Sequence, residues 1–296
     1  MLKREQIRIR DPYILVNEQE KCYYLYGTTD ENVWSAPGTG FDTYKSTDLE
    51  NWDGPYPAFR PAPAFWSDHH FWAPEVYVYD NSYYMFASFK SEDKRRATQV
   101  LIAESPLGPF VPLTDKPVTP LEWECLDGTL HIEADGTPWM VFCQEWVQVN
   151  DGKMCAIPLT ADLKEAAGEP ITLFSASEAA WAIPFGDDHN NYITDGPYLY
   201  RNQAGELLML WSSGSKNGYA IGIARSASGT IEGPWTQDEE TLFPQDGGHG
   251  MLFRSLEGQL MLAMHAPNNE PDERAVFIEI EEKNGTLQRK VKAQFL

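Results

Sequence analysis

A five-bladed β-propeller is the fold class this sequence predicts. Three observations predict it: a hairpin-led unit recurs five times, the second strand of every unit is a continuous apolar run, and helical periodicity is almost absent. The units occupy roughly residues 11–53, 72–111, 126–166, 195–236 and 248–287.

Each unit opens with an inner strand, expected at 13–16, 75–79, 128–132, 197–200 and 250–254. A turn follows that is rich in Asn, Asp, Gly or Glu, such as Asp80-Asn81 and Asp135-Gly136. Then come the second strands: Cys22-Tyr23-Tyr24-Leu25-Tyr26, Tyr83-Tyr84-Met85-Phe86, Trp139-Met140-Val141-Phe142, Leu207-Leu208-Met209-Leu210-Trp211 and Leu260-Met261-Leu262-Ala263. These are hairpin signals. Runs without alternation imply strands covered on both faces, as stacked blades require. Third strands are expected at 40–44, 100–103, 154–158, 220–224 and 275–280. The outer segments also recur, Ser105-Pro106-Leu107-Gly108-Pro109-Phe110 beside Ile231-Glu232-Gly233-Pro234-Trp235. Four short strands in each of five units favour a propeller over the alternative, a β-sandwich.

Length and composition bound the rest. At 296 residues and 42% hydrophobic the chain can bury a large core. No linker-like stretch divides it, so residues 1–296 are expected to form one propeller domain, with no room before Leu296 for a C-terminal β-sandwich. The formal charge of −21 argues against nucleic acid and anionic membrane surfaces as partners, whereas a neutral sugar meets no such repulsion. The start, Met1-Leu2-Lys3-Arg4-Glu5, lacks the apolar run of a signal peptide, and no segment approaches the roughly 18 apolar residues of a membrane span, so a cytoplasmic protein is expected. Cys22, Cys125, Cys143 and Cys155 form no CxxC pair and fall in strand patterns, which reads as buried free thiols. Most of the aromatics read as blade packing, with some free to stack on sugar rings. Oligomeric state is left open.

In a propeller the first strand of each blade lines the channel, so residues at the strand heads meet at one mouth. Asp11, Glu75, Asp127, Asp195 and His249 all fall at or near that station. One aspartate before Gly or Pro is a turn cap; three at equivalent stations are convergent carboxylates, which is what glycoside hydrolysis needs. The Asp187-Asp188-His189 run reads as an exposed loop, and Asp68-His69-His70, just before Trp72, is placed to reach the pocket rim.

Arg10-Asp11-Pro12, Phe71-Trp72-Ala73-Pro74-Glu75-Val76, Leu126-Asp127, Thr194-Asp195-Gly196-Pro197-Tyr198 and Gly248-His249-Gly250 together resemble glycoside hydrolase family 43, and the likeness spans residues 10 to 280. The resemblance implies an inverting reaction in which Asp11 is the general base, Asp127 tunes and orients the acid, and Asp195 occupies the general acid's position. It also implies that Trp72 walls the sugar site and that Glu75, His249 and Arg274 bind substrate. It leaves room for a central calcium near His249, held through water as in some relatives; no other cofactor is implied.

One residue departs from the family pattern: Asp195 stands where the family carries Glu. Asp is one methylene shorter, which withdraws the carboxyl by roughly 1.5 Å, and geometry governs proton transfer. The expected function is exo-acting hydrolysis of arabinofuranosyl or xylosyl ends of short plant-type oligosaccharides, with arabinofuranosidase placed first. The Asp195 departure keeps a second reading, a catalytically impaired carbohydrate-binding propeller. A third is a related five-bladed sugar enzyme, although the Trp-Met-Asn-Asp-Pro type opening of invertase relatives is absent.

Overall fold

Five antiparallel sheets, each built from consecutive strands, surround a central channel in the computed structural model, which describes residues 1–290. Each inner strand touches those on either side and the last touches the first, so the ring is closed. The fold is the five-bladed propeller that the repeat predicts.

The inner strands are Arg10–Asn17, His69–Tyr79, Cys125–Ile132, Asp195–Arg201 and Gly248–Arg254. Their hairpin partners are Cys22–Thr28, Ser82–Lys90, Pro138–Gln144, Leu207–Ser215 and Leu260–Ala266. Every residue of Cys22–Thr28 is buried, as its unbroken apolar run demands. Third and fourth strands complete each blade, and blade one gains a fifth strand, Leu2–Lys3, paired to its outer edge, which the sequence did not announce. All four cysteines are buried and free.

The inner strands begin two to six residues before their apolar runs because each crosses a β-bulge. The pairing register breaks at Arg10/Tyr13, Trp72/Glu75, Leu126/Thr129, Asp195/Tyr198 and Gly248/Met251. Inside every break lies one residue in the left-handed region: Asp11 (φ 52°), Ala73 (47°), Asp127 (57°), Gly196 (53°) and His249 (53°). A bulge bends the strand and re-aims a side chain. Repeated around the ring, it turns these residues toward the channel mouth.

Apolar packing and charge both close the ring onto itself: Ile9 and Tyr23 share a core cluster with Phe253 and Ala275. Glu273 is fully buried in blade five and receives Arg10 Nη1 at 3.0 Å and Arg8 Nε at 3.5 Å, both from the segment leading into blade one. Ile9 N donates to the Glu273 carbonyl at 3.3 Å.

Candidate active site

The bulges bring Asp11, Asp127, Asp195 and His249 to one cavity of about 250 Å³, walled by Trp34, Trp72, Trp146 and Phe185. An adjoining cavity, also about 250 Å³, shares Arg10, Trp34, Asp195 and Tyr219 with it and is bounded on its far side by Asn268, Asn269 and Glu270. Asp195 therefore stands at the junction of two spaces. A larger groove of about 880 Å³ runs along the outer strands of blades four and five and contains none of these acids.

Asp11 is held ionised. Burial raises its pKa, but the neighbouring His249, the Arg10 charge and a hydrogen bond from Thr28 outweigh that, leaving it below the usual carboxylate range. Thr28 Oγ1 donates to Asp11 Oδ2 at 2.7 Å, and His249 Nδ1 lies 3.2 Å from Asp11 Oδ1. The Asp11 backbone N–H donates to His265 Nδ1 at 3.2 Å. His265 is thereby the tautomer that carries its proton on Nε2, which donates to Asn268 Oδ1 at 3.1 Å. Burial pushes His265 down to about 4, so it stays neutral.

The other two acids are pushed the opposite way. Burial first, then repulsion from Asp11, lifts Asp127 to about 8 against a hydrogen bond from the Gly196 N–H. Burial and the Asp127 charge lift Asp195 to about 7, against the hydroxyl of Tyr219, which donates to Asp195 Oδ2 at 2.9 Å. The two titrate as a pair that keeps a proton near neutrality.

Of the remaining residues expected at the site, Trp72 lines the pocket with its indole N–H bonded to the Val33 carbonyl at 2.8 Å. Glu75 does not reach it. The bulge puts Glu75 in register with Tyr13 and Thr129, one station further along the inner strand, where Tyr77 donates to it and burial lifts it to about 7. Arg274 is not brought to the pocket either: it begins the third strand of blade five, and its guanidinium bonds the carbonyls of Glu5, Pro271 and Glu273. Arg10 is the arginine that lines the cavity. His70 stacks on Trp72 (centroids 4.4 Å, 11°), and Asp187, Asp188 and His189 are exposed.

Sequence reasoning missed Tyr219, Glu145 and Arg96. Arg96 lies 4.2 Å above the Trp72 ring, pairs with Glu145 of the pocket wall and donates to His70 Nδ1 at 2.8 Å. None sits in the repeated strand-head motif: Arg96 stands just before its strand and Glu145 just after its own, and Tyr219 reads in the sequence as one more packing aromatic, so no periodic signal marked them. Among the described residues no three His, Cys, Asp or Glu side chains are grouped to hold a metal ion. No step below runs through a metal.

One carboxylate held ionised beside a pair that keeps a proton is the equipment for cleaving a glycosidic bond, which puts the protein in the class of propeller glycoside hydrolases. Comparison with known proteins supplies the family. The pattern of glycosyl hydrolases family 43 matches residues 6–294, and the chain belongs to that family. It is similar to the crystal structure of an endo-arabinase from Bacteroides thetaiotaomicron VPI-5482, with 43% identity and a TM-score of 0.89 over 96% of this chain and 98% of that one. An endo-1,4-β-xylanase structure from the same organism matches at 25% identity and a TM-score of 0.80, over 97% of this chain and 95% of that one. In sequence the chain is 23% identical over 269 residues to the extracellular exo-α-(1→5)-L-arabinofuranosidase ArbA of Cellvibrio japonicus (strain Ueda107), covering 82% of this chain and 71% of that protein.

Proposed function

We propose that this glycoside hydrolase is an inverting, exo-acting enzyme on arabinose- or xylose-containing oligosaccharides, with α-L-arabinofuranosyl ends as first choice. The observation that carries the reading is the opposed proton affinity of Asp11 and Asp195, with Asp195 at the junction of the two cavities. The walled cavity receives the sugar to be released, and the adjoining one receives the leaving group. Asp11 takes a proton from water as the water attacks the anomeric carbon. Asp195 gives its proton to the departing oxygen, so the C–O bond breaks with its electron pair on the leaving sugar and the new sugar carries the opposite anomeric configuration. Asp127 holds the pair's proton count by repelling charge on Asp195. Thr28 and His249 stabilise the charge of Asp11, and the His265 ring holds its backbone N–H.

A cavity of only about 250 Å³ lined by Trp34, Trp72, Trp146 and Phe185 supports exo action, since it is sized for a terminal sugar rather than a threaded chain. The relatives support pentose substrates, because arabinan and xylan enzymes are what the matches describe. The test is a panel of nitrophenyl α-L-arabinofuranoside, nitrophenyl β-D-xyloside, arabino-oligosaccharides and linear arabinan. Release of single arabinose units is expected. Short oligomers released from the polymer would make the enzyme endo-acting, and sugar binding without turnover would leave it a binding propeller.

A further inference from the structure

One bond, repeated around the ring, ties each blade to the next, and its single exception falls at the acids. The residues that pair with the inner strands just before their bulges are Thr28, Ser88, Cys143, Ser212 and His265. In four blades this side chain accepts the N–H of the left-handed residue in the next blade. Ala73 N donates to Thr28 Oγ1 at 2.8 Å, Asp127 N to Ser88 Oγ at 2.8 Å, His249 N to Ser212 Oγ at 2.9 Å and Asp11 N to His265 Nδ1 at 3.2 Å. Blade three carries Cys143, and a thiol is a weak acceptor. A buried N–H left unpaired is costly, and the N–H of Gly196 goes instead to Asp127 Oδ2 at 2.9 Å.

We propose that Cys143 is a positioning residue for the reaction: standing where the other blades carry a hydroxyl or an imidazole, it turns the Gly196 N–H onto the Asp127 carboxylate and so ties the middle acid to the segment that carries Asp195. The inference rests on the roles proposed above for those two acids. Asp127 is faced by Asp11 from blade one, Glu75 and Arg96 from blade two, Glu145 from blade three, Asp195 and Tyr219 from blade four, and His249, whose Nδ1 lies 3.6 Å from Oδ2, from blade five. In this crowd of acids the Gly196 N–H is a donor that favours the ionised form.

Cys143→Ser supplies a hydroxyl of nearly the same size. The Gly196 N–H is then expected to move to it, so Asp127 takes up its proton at higher pH and repels Asp195 less. The alkaline limb of kcat/KM should fall by about half to one pH unit, the part passed on to Asp195 of the roughly one to two units that a hydrogen bond to a charged group is worth at Asp127. Cys143→Ala offers no acceptor and should leave that limb where it is, although it loses packing. A limb unmoved by the serine, or displaced equally by both changes, overturns the proposal. A second measurement needs no turnover and no variant at Cys143: the Gly196 amide, followed by ¹⁵N–¹H NMR across pH, should titrate with Asp127 and lose that titration in Asp127→Asn. An amide that does not titrate overturns the proposal. Inactivity on every pentosyl substrate would sink the functional reading and leave the Gly196 titration standing.

Discussion

Asp11 and Asp195 carry the same functional group and are given opposite tasks by what surrounds them. Two histidines, an arginine and a threonine hydroxyl face Asp11, whereas Asp195 has two carboxylates, Asp127 and Asp11, set against the Tyr219 phenol and His249. Asp11→Asn should therefore lower kcat by roughly 10²- to 10⁴-fold while leaving sugar binding and melting temperature nearly intact; near-normal turnover would remove Asp11 from the mechanism. Activity needs Asp11 ionised and Asp195 protonated, so it should hold at mildly acidic pH and decline as pH rises through about 7, the value to which burial and Asp127 lift Asp195. The Tyr219 hydroxyl favours ionised Asp195, so Tyr219→Phe should move that decline to higher pH; a shift to lower pH would contradict the assigned bond. Asp195→Ala should slow natural oligosaccharides far more than dinitrophenyl glycosides, whose leaving group departs without a proton. Equal slowing of both would make Asp195 a sugar-positioning residue. Asp195→Glu, the family residue, should change turnover of natural substrates in either direction, and its sign tells whether the pocket is built around the shorter side chain. The acids were legible in the sequence because each sits in a repeated motif, whereas Tyr219 and Glu145 belong to no repeat and were not.

At the scale of elements, a hairpin can be read from its apolar run and its turn, but a bulge cannot. Each inner strand carries its bulge where the apolar pattern gives out, and there the left-handed residue is Asp, His, Ala or Gly with no shared side-chain signature. A one-residue slip in a strand exchanges its faces. That is why Glu75, two residues past the bulge, was expected in the pocket and stands below it. The same scale holds the seam between first and last blades. Burial raises the Glu273 pKa, but its own backbone N–H and the Arg10 and Arg8 charges outweigh this and hold it below the usual range. A carboxyl held low contributes stability that is present above about pH 4.3 and fades as pH falls through its folded value. Glu273→Gln should cost about 3–5 kcal/mol near neutrality, because the partly buried Arg10 loses its carboxylate partner and Arg8 is left with Glu270. Urea titration of both proteins should show the gap narrowing below pH 4, and a gap independent of pH would mean that the seam does not depend on this charge.

For the whole molecule, five blades closing one ring put acids from blades one, three and four, some 70 to 180 residues apart in sequence, around one cavity. The proposed pairing of Asp11 and Asp195 across that ring leaves a water between base and sugar, so proton NMR of the first-formed product should show the inverted anomer; initial release of the retained anomer would reassign both residues. Blade count, strand order, family and the three aspartates could be read from the chain alone, because repeats and motifs are local patterns that stay visible in one dimension. It took the folded chain to show that Arg10 faces the pocket and Arg274 the seam, that Glu75 lies beneath the site, and that Asp127 receives the Gly196 N–H. Those outcomes depend on bulge register and on contacts between blades distant in sequence, and neither leaves a periodic trace in the chain.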